Sequence, residues 1–547
     1  MKKLLLVLGL LSVQSQAQIL NHKQEFTRQD TLRGSNTEFR NWWDVKHYKV
    51  SVEPDFKSKS IKGNTTIAFD VIADRKTDLM QIDLQEPMQL SSAKINGKKI
   101  KDLKREGNVY FLNVGKSLNK KDNQLELTYE GNPLVAKKAP WDGGWIFVKD
   151  EQGREWMSVA CQGLGASVWF PNKDYGADEP DNGAELEIIV PNDLVGVGNG
   201  RLVSQKKIGS KTAYTWKVTN PINNYNIIPY IGKYVNFKDT YEGEKGILDL
   251  DYYVIDYNLN KAKSQFEQAK QMLDSFEHWF GPYPFYEDSF KMIESPHLGM
   301  EHQSGIAYGN KYMDGYLGRD LSGTGWGLKW DFIIIHEAGH EWFGNNITHK
   351  DVADMWIHEG FTSYSESLHT EHLFGKQAGA DYVKGTRKSI ENKKPLIGVY
   401  GVHQEGPGDM YTKGANMIHT FRTWLNNDEK FRQILRGMNK EFYHQTVTTK
   451  QIEDYLAKES GLDLTAFFNQ YLRTKDVPLL EIKQEGNSIL YRYSKIVDDF
   501  TMPLRLENSN VTLYPTKDWK ELKEGNFKSS FDIQVDSNYY IDTFVIK

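Results

Sequence analysis

Residues 331–343 read Asp331-Phe332-Ile333-Ile334-Ile335-His336-Glu337-Ala338-Gly339-His340-Glu341-Trp342-Phe343. Their pattern predicts a helix over residues 330–342, and the largely apolar first half predicts that it is buried. On a helix, His336 and His340 share one face about 6 Å apart along the axis. Two imidazoles so placed can meet a single cation, and zinc suits nitrogen and oxygen ligands at that reach. Glu337 stands one position along, beside such a metal and not on it. A carboxylate there can take a proton from metal-bound water. The pattern His-Glu-x-x-His arises by chance in roughly one chain in fifty of this composition, so its weight comes from its surroundings.

Those surroundings supply a third ligand. A loop at 344–351 lets a second helical segment, 353–374, fold back, and that segment carries Trp356-Ile357-His358-Glu359-Gly360. His336, His340 and Glu359 would then hold one Zn²⁺ per chain and leave a fourth position for water, the arrangement of a catalytic site. A closed thiolate site is excluded, because the chain has a single cysteine, Cys161. That cysteine also rules out an intramolecular disulfide and is expected to be a small buried residue. Glu366, seven positions beyond Glu359, reads equally as an acceptor for a ligand histidine or as a surface glutamate. The remaining histidines, including His369 and His372, read as non-ligands.

Helical patterns spread outward from this core. Residues 262–280 form an amphipathic pattern stopped by Gly281-Pro282-Tyr283-Pro284, and another covers 414–426. Before about residue 256 the chain alternates like strands, as in Tyr48-Lys49-Val50-Ser51-Val52, with Asn96-Gly97 and Asn182-Gly183 as turn chemistry. Alternation returns after Val477, as in Ser488-Ile489-Leu490-Tyr491-Arg492-Tyr493. The reading is a multidomain α+β chain: an all-β domain at 40–240, an α-rich domain at 241–475 and a small β domain at 476–547. At 547 residues several domains are expected, and the 13% aromatic content suits packed β structure and clefts.

The 68 basic and 73 acidic side chains are interspersed and leave a net charge of −5. Nothing forms a basic stripe, so no nucleic-acid partner is expected. Lys2 and Lys3, the apolar run 4–13 and Ser15-Gln16-Ala17 have the layout of a secretory signal peptide, residues 1–17. The apolar run is too short to span a bilayer, and no other segment approaches a transmembrane helix. The expectation is an exported protein, periplasmic or extracellular, with no integral membrane segment once processed.

His336-Glu337-x-x-His340, followed after eighteen residues by Glu359, resembles the gluzincin aminopeptidases of the M1 peptidase family. The resemblance extends to Asp44-Val45-Lys46-His47-Tyr48, to Trp169-Phe170-Pro171-Asn172-x-Asp174, to Tyr411-x-Lys413-Gly414 and to Phe468-x-x-Tyr471. It implies a saddle-like β domain, a thermolysin-like zinc peptidase domain and a carboxy-terminal β-sandwich, without the long helical domain of larger members. It further implies a more open cleft that accepts longer peptides. The substrates implied are peptides with a free amino terminus; the oligomeric state is left open.

By that resemblance Leu298-Gly299-Met300-Glu301-His302 matches the family's Gly-x-Met-Glu-Asn block, which makes Gly299, Met300 and Glu301 substrate-binding residues. Glu301 would bind the α-amine. Gln162, in Ala160-Cys161-Gln162-Gly163, falls where the family has a substrate-contacting glutamine. Tyr411 matches the tyrosine that stabilises the oxyanion, while Glu337 serves as general base. The chain departs from the pattern at Leu298, at His302, which could still hydrogen-bond a substrate carbonyl but changes charge near neutral pH, and at His358. The competing readings are an endopeptidase, which the anionic Glu301 disfavours, and a non-catalytic peptide-binding protein, which would need neither Glu337 nor Tyr411.

Overall fold

The computed structural model describes residues 25–116, 118–507 and 509–546, so the expected leader at 1–17 lies outside the described residues. Alternation organises the amino-terminal body. Along the strand Trp43–Asp55, Trp43, Val45, Tyr48, Val50 and Val52 are buried, and their neighbours face outward. This strand runs antiparallel to Ser60–Val71 and parallel to Ala184–Pro191, at the centre of an eight-stranded sheet. The Asn96-Gly97 pair, with φ of +48° and +76°, closes a hairpin at one end of that sheet. Sheets of four and three strands pack against it over a core rich in large aromatics, among them Trp43, Trp145, Trp169 and Phe170.

A further sheet, of five strands, opens the second body. Its order is Tyr234–Gly243, Gly246–Ile255, Phe290–Glu294, Ile306–Tyr308 and Gly299–Met300. A division at residue 240/241 therefore falls inside a strand. Every residue of Phe290–Glu294 is buried, so the segment lacks the alternation that marks a strand with one wet face. Behind this sheet lie the helices. Residues 262–280 are not one helix but two, Leu259–Gln265 and Gln268–Phe280, broken at Phe266 and Glu267.

Asp331 caps the helix Phe332–Gly339, accepting from the backbone N–H groups of Ile333 (3.0 Å) and Ile334 (3.4 Å). The long helix Trp356–Phe374 ends at Gly375, whose φ of +92° suits glycine. A third helix, Asp409–Leu425, starts five residues before the expected 414. The two long helices cross at Gly360 and Gly414. A Cβ on Gly414 would stand 2.8 Å from the Gly360 Cα, so only hydrogen fits there.

The carboxy-terminal strands form a four-stranded sheet, with Leu479–Glu485 between Ser488–Ser494 and Asp542–Ile546. Their apolar faces merge with the helical body in one continuous core that runs from Leu248 to Tyr540. At the other end of the chain, a short helix, Arg28–Gly34, is fixed by reciprocal capping between Thr27 and Asp30. Among the described residues, no helix is long and apolar enough to cross a membrane.

Candidate active site

His336 lies in the last turn of the helix Phe332–Gly339, His340 caps its end, and Glu359 sits in the first turn of the helix Trp356–Phe374. A Cβ on Gly339 would fall 2.6 Å from the Ser365 Oγ, so this glycine lets the two helices approach closely. The result brings one ligand atom from each of His336, His340 and Glu359 within 4.8 Å of the others. Glu359 Oε2 lies 3.6 Å from His336 Nε2 and 3.3 Å from His340 Nε2. A tetrahedral ion with bonds of 2.0–2.1 Å separates its ligands by about 3.3–3.4 Å.

The opposite ring nitrogens are occupied. His336 Nδ1 is 2.7 Å from Glu366 Oε1, and His340 Nδ1 is 3.0 Å from the Phe343 carbonyl. With each Nδ1 occupied in this way, each Nε2 faces Glu359 and is the nitrogen placed to ligate a metal. Among the described residues, Glu359 Oε2 is buried without a hydrogen-bond donor of its own. Three buried donors lack a common partner, and a zinc ion fits them. Glu366 is buried and accepts at Oε2 from the Tyr382 hydroxyl (2.7 Å), which settles it as a support for His336 and not a surface residue.

Glu301 follows the edge strand Gly299–Met300. Its Oε1 accepts from the Gln162 amide (2.6 Å) and the Tyr225 hydroxyl (3.0 Å), while the Asn345 amide donates to its main-chain carbonyl (2.8 Å). Ligand atoms of Glu301, Glu337 and His340 also lie within 4.8 Å of one another. Because His340 belongs to both groupings, one ion at most can use it, and the tethered Nδ1 atoms favour the set with His336 and Glu359. Burial pushes the Glu337 carboxyl up to about 7, with His336 and His340 pulling down against Glu301. Burial likewise raises Glu301, His340 opposing.

Gln162, Gly299, Met300, Glu301, His336, Glu337, His340, Glu359 and Tyr411 all line one cleft of about 590 Å³. The Tyr411 ring lies nearly parallel to His336, 6.0 Å between centroids. The lining holds five glutamates and neither lysine nor arginine. His302 is the exception among the expected contacts. It is fully buried, its Nδ1 is 2.5 Å from the Tyr230 hydroxyl, and it does not line the cleft, so the expected bond to substrate is not available. The reason is local: the chain turns inward after Glu301 and packs His302 against the β domain. His358 also points away, accepting from the His349 N–H (2.9 Å) with the two rings stacked 4.2 Å apart. Cys161 is buried, its thiol donating to the Tyr225 carbonyl at 3.4 Å.

Two family signatures match this chain: the peptidase M1 N-terminal domain over residues 44–225 and the peptidase family M1 domain over residues 264–471. The chain belongs to peptidase family M1. It is 22% identical over 471 residues to "Probable aminopeptidase 2" of Sulfurisphaera tokodaii, covering 81% of this chain and 55% of that protein. To the leucyl aminopeptidase of Saccharolobus solfataricus it is 20% identical over 464 residues, with the same coverage. The chain thus spans little more than half the length of these relatives. In fold it is similar to an M1 zinc metallopeptidase of Deinococcus radiodurans, with a TM-score of 0.67 and 19% identity over 80% of this chain and 95% of that one.

Proposed function

We propose that this protein is a zinc aminopeptidase that removes residues from the free amino terminus of peptides. The observation that carries this reading is the Glu301 carboxylate, set within 4.8 Å of the donor atoms of Glu337 and His340. That is the distance at which a substrate's ammonium could pair with an anion while its first carbonyl reaches the metal ligands. An endopeptidase would gain nothing from an anion there.

His336, His340 and Glu359 would hold the zinc. Bound zinc supplies Lewis acidity to the scissile carbonyl and lowers the pKa of a water to near neutrality. The chain's own residues do the rest. Glu337, raised towards 7 by burial, is poised to take the proton from the attacking water and return it to the leaving amine. Tyr411 donates its phenolic hydrogen to the developing oxyanion. Glu301, backed by Gln162 and Tyr225, fixes the amine and so the register of cleavage. A second cavity of about 680 Å³ shares Gln162, Gly163 and Glu405 with the cleft, which supports a preference that includes peptides longer than a dipeptide.

The test is a panel of aminoacyl-nitroanilides with and without an N-acetyl block, before and after chelation. Cleavage of the free-amine forms alone, abolished by chelator and restored by zinc, is expected; equal cleavage of blocked substrates would establish the endopeptidase instead. Glu337→Gln should keep zinc and lose turnover, and an apo variant or an active one would contradict the assigned role. On its sequence pattern the protein is also proposed to be exported, and a mature protein that retains residues 1–17 would refute that.

A further inference from the structure

Ahead of both family signatures, residues 27–40 reach across to the cleft. The turn at 161–165, closed by a bond of 2.6 Å from the Gly165 N–H to the Cys161 carbonyl, presents Gln162 to Glu301. Cys161 and Leu164 anchor this turn on the β-domain core, but Gly163 at its tip is exposed. Its carbonyls are held by side chains from three distant segments. The Arg33 guanidinium donates to the Leu164 carbonyl, as does the Gln85 amide (2.5 Å), and His403 Nε2 is 2.8 Å from the adjoining Gly163 carbonyl.

The same short helix also holds the facing loop. The His403 N–H donates to the Asp30 carbonyl at 3.3 Å, and a Cβ on Gly34 would lie 2.1 Å from the Val402 carbonyl carbon. Arg40, fully buried, ties the helix end down by donating to the Leu32, Arg33 and Ser35 carbonyls while pairing with Asp83 at 3.0 Å. One segment thus fixes two lips of the cleft: the turn bearing Gln162 and the loop bearing Glu405.

We propose that Arg33 is a positioning residue for the substrate amine, holding the Leu164 carbonyl so that the Gln162 amide stays aimed at Glu301. The inference rests on the aminopeptidase reading above. A loop left without such a clamp samples open conformations, and each open state lowers the fraction of enzyme competent to bind. Binding of the ammonium then weakens while the chemistry at Glu337 and Tyr411 is untouched.

The experiment compares Arg33→Ala, Arg33→Lys and Gly34→Val with the wild type, using leucine-nitroanilide as probe, zinc analysis and hydrogen exchange of residues 161–165. Arg33→Ala should raise KM about tenfold with kcat within about twofold. Zinc content should stay unchanged and exchange of the turn should quicken. Arg33→Lys should recover much of the KM. Gly34→Val, which forces the 401–405 loop away with Arg33 intact, should also raise KM. An unchanged KM with unchanged exchange would overturn the proposal, and so would a fall in kcat and zinc together. Should the wild type cleave no free-amine substrate, the aminopeptidase reading fails, and unaltered exchange in Arg33→Ala would still refute the clamp independently.

Discussion

Glu366 exemplifies what a side chain gains from its neighbours. Between His336 Nδ1 and the Tyr382 hydroxyl it fixes one ligand's tautomer without touching the metal position. Glu366→Ala should weaken zinc binding about 10–100-fold, read by competition with a chelator, and an unchanged affinity would contradict that support. Gly299 makes a sharper case. A Cβ there would stand 2.6 Å from Glu337 Oε1 and 2.9 Å from Ile333. Gly299→Ala should therefore lower kcat by displacing the Glu337 carboxylate while zinc stays bound; a wild-type kcat would show that the cleft yields easily. The metal trio was legible because a helix turn and a single return loop convert spacing into proximity. Tyr225 was not, since it meets Glu301 across 76 positions from a one-turn 3₁₀ segment that no periodicity marks. His302 misled for the opposite reason: its place in the matched block says nothing of which way its backbone turns.

Between elements, the crossing at Gly360 and Gly414 sets the geometry. It lets the helix bearing Glu359 lie against the one bearing Tyr411, so the proposed ligand and the proposed oxyanion donor enter one cleft from two helices. Gly414→Val would insert a branched side chain where 2.8 Å is available. The helices must part, and the phenol must leave its place. A loss of about 10²–10³ in kcat is expected, the size of a missing oxyanion donor, with zinc retained. Full activity would mean that the crossing can slip. The long helices and the alternating strands of the first body were readable from their periods. The five-stranded sheet was hidden, because Phe290–Glu294 and Ile306–Tyr308 are short and buried on both faces. The extra turn at the start of Asp409–Leu425 was missed because glycine and proline precede it at Gly406-Pro407-Gly408.

Across the molecule, acid acts on buried groups of opposite sign, histidines that resist protons and carboxyls that take them up. Burial lowers His297 and His349 to about 4 and His369 and His419 to about 3. In the unfolded chain each returns to about 6.5. Above that pH folded and unfolded forms are both neutral and these groups cost nothing. Below it the unfolded chain binds protons at these histidines that the folded chain refuses, so their contribution to stability falls as pH drops from 6.5 towards 4. By pH 5 each withdraws about 2 kcal/mol, while Glu179, pushed up to about 7 by burial, and Glu341, pushed up to about 8, return a similar amount each as they take up protons over the same range. The change in Tm from pH 7 to pH 5 should be more favourable for His369→Gln than for the wild type, and the same change in both would contradict the assignment. The three-part order of β, α and β was written in the changing period of the chain. That the last β part shares its core with the helices was not, because the faces that merge become visible only once packed.

The solitary thiol of Cys161 gives this molecule a built-in gauge. It is sealed next to Gln162, beneath the turn that Arg33 and His403 clasp, and burial keeps it protonated and unreactive. An alkylating reagent can reach it only when that turn lifts, so the pace of labelling counts those excursions directly. No engineered probe is needed, and with one sulfhydryl in the whole chain every modified molecule reports from the same spot. A peptide that seats its amine on Glu301 should slow the labelling, and the breathing of the cleft could then be timed on the native protein.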